Sequence, residues 1–140
     1  MWQGRTITKL KISHKRNQKK KYQKKKKSSS IIIGKNIKLF LNKPIIYWVI
    51  NTALSANLFD DVIVSTDCEE IADISRSYGA SVPGLRQAVF SDDYVSVVDV
   101  IRYEIGKLGL KEETNQLISL LYATAPMIEG SDIKEAVDNI

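Results

Sequence analysis

The chain has 140 residues, a formal net charge of +5 and one cysteine, which leaves room for one domain at most and rules out an internal disulfide. The positive charge is confined to one end. Residues 1–30 hold 12 of the 21 Lys and Arg and no acid, whereas residues 31–140 hold 9 basic and all 16 acidic residues, a net of −7.

From Met1 to Ser30 one pattern stands out. Thr6 to Ile12 alternates with period two, as a short strand does. The stretch that follows, through Lys27, has almost no apolar side chain to set against its ordering entropy. Residues 1–30 therefore read as a basic, disordered tail. The run lacks the interleaved aromatics of a single-strand-binding arm, with only Tyr22 present, so nucleic acid is not expected as a partner. The terminus has the charge of a signal n-region but no apolar segment after it. With the lone Cys68, this points to a soluble protein of a reducing compartment, the cytoplasm, with no membrane contact.

The pattern changes at Ile31. Residues 44–56 place Ile46, Val49, Ile50, Ala53 and Leu54 at helical spacing, with Pro44 in the first turn. Asp61 to Thr66 reads as a buried strand. Residues 69–78 read as a helix with Ile71, Ile74, Ser75 and Tyr78 on one face, stopped by Gly79. Ala80 to Val82 reads as a second strand, closed by Pro83-Gly84. Ser96 and Asp99 form a capping-box pattern opening a helix with Val97, Ile101, Ile105 and Leu108 inward. Leu117 to Tyr122 is a third strand, and Ser131 caps a last helix bearing Ile133, Ala136, Val137 and Ile140.

Alternating helices and strands predict an α/β fold with a mostly parallel sheet and helices on both faces. Ligands of such sheets bind outside the carboxyl ends of the strands. Those ends are Ser65-Thr66-Asp67, Gly84-Leu85-Arg86 and Ala123-Thr124-Ala125-Pro126.

These segments carry a resemblance. Gly34-Lys35-Asn36-Ile37-Lys38, Lys43-Pro44-Ile45-Ile46, Phe59 to Asp67 and Glu69-Glu70-Ile71-Ala72 resemble the CMP-sugar synthetases, the acylneuraminate cytidylyltransferase family. Tyr78-Gly79-Ala80, Val82-Pro83, Leu85-Arg86, Ser91-Asp92-Asp93-Tyr94 and Tyr122 to Pro126 extend the likeness, in order, over about residues 31–140. Sialic acid synthetases of that family usually carry a Gln-Pro-Thr-Ser-Pro-like sequence at the last position. Tyr-Ala-Thr-Ala-Pro looks like the pseudaminic acid branch. The alternatives within the family are sialic, legionaminic and 3-deoxy-octulosonic acid enzymes. From another class, a non-catalytic α/β module with a polyanion-binding arm stays open.

The resemblance implies a Rossmann-like fold of the nucleotide-diphospho-sugar transferase type, incomplete here. It implies that a sugar's anomeric hydroxyl attacks the α-phosphate of CTP and pyrophosphate leaves, usually with Mg²⁺. The partners implied are CTP and a nine-carbon acidic sugar, with a homodimer possible for the intact family. CTP-binding positions carry over to Ser29, Lys35, Asn36, Arg86, Ser96 and Thr124; no catalytic residue is assigned.

The bland readings of these positions are a solvated turn for Lys35-Asn36, a surface arginine for Arg86, a helix N-cap for Ser96 and a turn residue for Thr124. Asp67 reads as the cap of the helix at Glu69, and Asp92-Asp93 as a solvated loop. Cys68 and Trp48 read as packing residues, and His14 has no partner.

The family's phosphate loop resembles Ala-Arg-Gly-Gly-Ser-Lys-Arg. Counted back from Lys35-Asn36, its Gly-Gly falls on Lys27-Ser28, its Arg on Lys26 and its Lys-Arg on Ser30-Ile31; Ser29 alone matches. Lysines supply charge, but not the backbone freedom that lets N–H groups close on a phosphate. The apolar strand expected before the loop is missing from Lys19 to Lys27. The family's metal-binding aspartates lie in a segment beyond residue 140. Little activity is therefore expected of this chain, with residues 31–140 a partial cytidylyltransferase domain.

Overall fold

The structure, a computed structural model, describes the backbone of residues 6–13 and 116, and residues 35–90, 95–109 and 117–140 in full. It is mixed α/β. The order is strand β1 (Thr6–Ser13), a 3-10 turn (Lys35–Ile37), strands β2 (Leu39–Phe40) and β3 (Lys43–Pro44), helix α1 (Ile45–Ser55), strand β4 (Val62–Ser65) and helix α2 (Glu69–Ser77). A second 3-10 turn (Ala88–Phe90), helix α3 (Val97–Lys107), strand β5 (Gln116–Tyr122) and helix α4 (Gly130–Asp138) complete it.

β1 is the centre of a three-stranded sheet with the order β4-β1-β5, and both pairings are parallel. The period-two pattern over Thr6–Ile12 thus does form a strand. The tail drawn over residues 1–30 is corrected on this point: a boundary set by charge does not coincide with the edge of the sheet. The alternation of Ile7, Leu10 and Ile12 with threonines and lysines supplies β-prone residues within the most basic third of the chain.

The core lies where α1 meets β4. Ile46, Val49, Ile50 and Ala53 of α1 are buried against Val62 and Val64 of β4, with Ile71 of α2, Leu121, Ala123 and Ile133 completing the cluster. Leu54, expected inward, is 42% exposed; it sits one position off the stripe through residues 46, 49, 50 and 53. Thr52 Oγ1 donates to the Ile128 carbonyl (3.2 Å), tying α1 to the approach of α4. Among the described residues no helix is long and apolar enough to cross a membrane.

Several local expectations change. Pro44 is the N-cap of α1 rather than a residue of its first turn, because it also ends a hairpin in which Leu39 pairs with Pro44 and Phe40 with Lys43. That hairpin was not foreseen, since Leu41 and Asn42 both turn at positive φ (48° and 63°) without a glycine to signal it. Ala80–Val82 contributes only a parallel bridge of Ser81 to Ile63 before Pro83-Gly84 takes the chain away. α4 starts after Glu129 rather than Ser131, and the Asp132 carboxylate accepts the Glu129 backbone N–H (2.9 Å). Asp67 does not cap α2; Cys68 holds the N-cap position, and its N–H donates to Thr66 Oγ1 (3.1 Å). Trp48 is half-buried and donates its indole N–H to the Phe40 carbonyl (2.9 Å).

Candidate functional site: the carboxyl edge of the sheet

The three parallel strands end level. Ser13 of β1 stands in register with Ser65 of β4 on one side and with Tyr122 of β5 on the other. Parallel register brings the segments after each strand to one edge, and the termini of helices that follow parallel strands face that edge too.

After β4 come Thr66, fully buried, and Asp67. The Arg86 backbone N–H donates to the Thr66 carbonyl at 2.7 Å, so Arg86 is placed at this edge. Its residue is only 3% exposed. Burial pulls the guanidinium pKa below its ordinary value by desolvation, opposed by the carboxylates of Asp67 and Glu104 and by Tyr103. Asp67 Oδ1 is itself buried, with no hydrogen-bond partner among the described residues.

Glu104 is the residue the sequence reading missed. It is 3% exposed on α3, and Ser65 Oγ donates to its carboxylate. The inward face of α3 is carried by Val100 and Glu104, whereas Val97, Ile101, Ile105 and Leu108 are only partly buried. A signal was available. Val97, Val100, Glu104 and Leu108 share a helical stripe at i, i+3, i+7 and i+11, and an acid on such a stripe has to find a partner.

The other carried-over positions lie on separate elements. Thr124 follows β5, exposed, two residues beyond Tyr122. Ser96 is the N-cap of α3; its Oγ accepts the Asp99 N–H at 3.1 Å and donates to the Asp99 carboxylate at 2.6 Å, so the capping reading of Ser96 is realised. Lys35 is exposed and Asn36 buried to 2%, both in the 3-10 turn, whose Ile37 packs on the core beside α1. Ser29, His14, Asp92 and Asp93, and the lysine run through Lys27, lie outside the described residues.

Arranged this way, the edge can offer a buried guanidinium, the Thr124 hydroxyl and strand-end backbone groups to an anionic ligand. A divalent cation is less well provided for: among the described residues no group of three His, Cys, Asp or Glu converges. These residues do not make a Mg²⁺ site.

The cytidylyltransferase family profile matches residues 26–140. The chain is 38% identical over 104 residues to pseudaminic acid cytidylyltransferase of Campylobacter jejuni serotype O:2, covering 74% of this chain and 45% of that protein. It is 33% identical over 105 residues to CMP-N,N'-diacetyllegionaminic acid synthase of Legionella pneumophila, covering 75% and 45%. The chain thus spans about half the length of these relatives. Among solved structures, a CMP:2-keto-3-deoxy-manno-octonic acid synthetase complexed with CTP superposes with a TM-score of 0.67 at 18% identity, covering 97% of this chain and 47% of that one, a likeness of fold. By the family profile over residues 26–140, this chain belongs to the cytidylyltransferases, the CMP-sugar synthetase family.

Proposed function

We propose that the protein to which this sequence belongs transfers CMP from CTP to an acidic sugar, with pseudaminic acid as the acceptor, and releases pyrophosphate. The observation that carries the nucleotide half is the level carboxyl edge: Ser13, Ser65 and Tyr122 in register, with Arg86 bonded to the residue after Ser65. The acceptor rests on the Tyr122-Ala123-Thr124-Ala125-Pro126 sequence and on the 38% identity to a pseudaminic acid enzyme. Sialic, legionaminic and 3-deoxy-octulosonic acids are the competing acceptors.

In this reading Arg86, Lys35 and Ser29 meet phosphate oxygens, Asn36 and Thr124 lie near the nucleoside, and Ser96 adds a hydroxyl at the start of α3. A cation gathered at the α-phosphate stabilises the charge that grows there as the sugar hydroxyl attacks and pyrophosphate departs. Mg²⁺ is expected to arrive with the triphosphate, as it does where phosphates supply its ligands. The complete protein would have a doubly wound sheet with helices on both faces, would act in the cytoplasm, and would work as a homodimer. The lysine run between β1 and residue 30 is read as a basic segment joining β1 to the rest of the domain.

Because Lys26 to Ile31 offers one serine in place of a glycine loop, turnover by this sequence is expected to be low. Pyrophosphate release from CTP with each of the four sugar acids tests the reading. Release fastest with pseudaminic acid supports it; release fastest with another acid moves the acceptor; and CTP that fails to bind removes the nucleotide half. The rival reading, a basic arm on a silent module, is motivated by 12 basic residues and no acid in residues 1–30. It expects tight, salt-sensitive RNA binding instead, with affinity falling steeply as salt rises.

A further inference from the structure

Asp67 stands between the end of β4 and the start of α2, where an acid ordinarily caps the helix. It does not do so: Cys68 holds the N-cap position. The Cys68 N–H donates to Thr66 Oγ1 at 3.1 Å, so the threonine does the local work expected of the acid. Thr66 is fully buried, and its carbonyl accepts the Arg86 N–H at 2.7 Å. The backbone beside Asp67 is thus held from both sides of the loop. Its side chain is left over. The residue is half-buried, and Oδ1 is closed off from solvent. Among the described residues Oδ1 has no hydrogen-bond partner, and no ion pair includes Asp67.

We infer that the Asp67 carboxylate is a binding group for the ribose of a nucleotide, accepting hydrogen bonds from its vicinal 2′ and 3′ hydroxyls. This rests on the proposed reading of the carboxyl edge as a CTP site.

The physical case starts from the orphaned oxygen. A carboxylate oxygen taken from water without a donor is destabilising, and native proteins rarely keep one. A carboxylate only accepts, and it does so on two oxygens. A pair of neighbouring donors matches it, and a vicinal diol supplies such a pair. A phosphate would be repelled. A divalent cation asks for several such ligands at once, and among the described residues no group of three His, Cys, Asp or Glu converges. The torsion that turns an aspartate carboxylate is broad and two-fold, so rotation brings Oδ1 toward the open side of the residue.

Placement points to the sugar of the nucleotide. β1, α1 and β4 form one parallel β-α-β unit in which Ser13 stands opposite Ser65. Asp67 lies two residues beyond that pair, on the strand beside the central one. In nucleotide-binding sheets an acid beyond the second strand of such a unit meets ribose hydroxyls. The reason is geometric. Neighbouring strands lie about 4.8 Å apart, so phosphates held beyond one strand end bring the sugar over the next.

Calorimetry on the full chain compares CTP with 2′,3′-dideoxy-CTP in wild type, Asp67→Asn and Asp67→Ala. Wild type is expected to prefer CTP by about ten- to hundredfold, the worth of hydrogen bonds to a charged acceptor. Asp67→Ala is expected to cut that preference by about tenfold or more. Asp67→Asn keeps one acceptor oxygen and falls between. A purely structural role, or the loss of one negative charge at the edge, acts on both nucleotides alike and cancels in the ratio.

No preference in wild type, or a preference unchanged in Asp67→Ala, overturns the proposal while the CTP site stands. If neither nucleotide binds, the CTP reading fails and the proposal falls with it. If Asp67→Ala does not fold, the Asp67 ¹³Cγ resonance of wild type, assigned by its loss in Asp67→Asn, decides instead. A larger shift with saturating CTP than with saturating dideoxy-CTP is expected, and equal shifts overturn the proposal.

Discussion

Ser13, the last residue of β1, pairs in register with Ser65, the last residue of β4. One strand from the most basic part of the chain therefore sets the level of the edge on which the site is built. A strand between two neighbours forms its ladder on both sides, so its backbone N–H groups are all engaged.

Leu10 lies opposite Val62 on one side and Ser119 on the other. Leu10→Pro removes a ladder donor at the centre of the sheet and is expected to destabilise the fold by about 3 kcal/mol or more. Thermal unfolding followed by circular dichroism checks this. A melting temperature equal to that of wild type would show that residues 6–13 are not part of the folded unit.

Ile50 is fully buried on α1 within the core that backs β4. Ile50→Ala is expected to cost about 2–5 kcal/mol, from lost transfer energy and the cavity left behind. Urea unfolding measures it. A loss under about 1 kcal/mol would place α1 outside the cooperative core.

Much of this arrangement was legible in the sequence. β4, α1, α2 and β5 follow from hydrophobic patterning: α1 and α2 bury one stripe each, and Val62 to Ser65 is buried at every position, as a strand covered on both faces should be. Ser96 was legible as a cap because a serine three residues before an acid has one local job to do. The rest was not local. β1 was legible as a short alternating strand, but its place between β4 and β5 depends on pairing that no window of sequence contains. Glu104 was missed, since its partner, Ser65, is 39 residues away. The β2–β3 hairpin was missed because Leu41 and Asn42 occupy the positive-φ turn where glycine is the usual signal.

Lys35 is exposed on the 3-10 turn. If it meets a phosphate, Lys35→Ala is expected to weaken CTP by roughly three- to tenfold, and the difference from wild type should shrink as salt rises. Calorimetry at two ionic strengths reads both effects. Equal affinities at low salt would return Lys35 to the solvated-turn reading.

The departure at the phosphate loop predicts a gain. Replacing Lys27-Ser28 by Gly-Gly and Ser30-Ile31 by Lys-Arg restores backbone freedom and adds charge where the family keeps them. CTP affinity is expected to rise by about tenfold or more. No gain from this replacement would mean that residues 26–31 do not occupy the loop position.

The central claim is that the carboxyl edge binds CTP, and titrating CTP into the ¹⁵N-labelled 15.8 kDa chain while following backbone amide shifts tests it most directly. The account predicts saturable shifts concentrated at Thr66, Asp67, Arg86 and Thr124, with ATP producing weaker shifts at the same amides. Shifts confined to the β2–β3 hairpin or to α4, or no shifts at millimolar CTP, would contradict it.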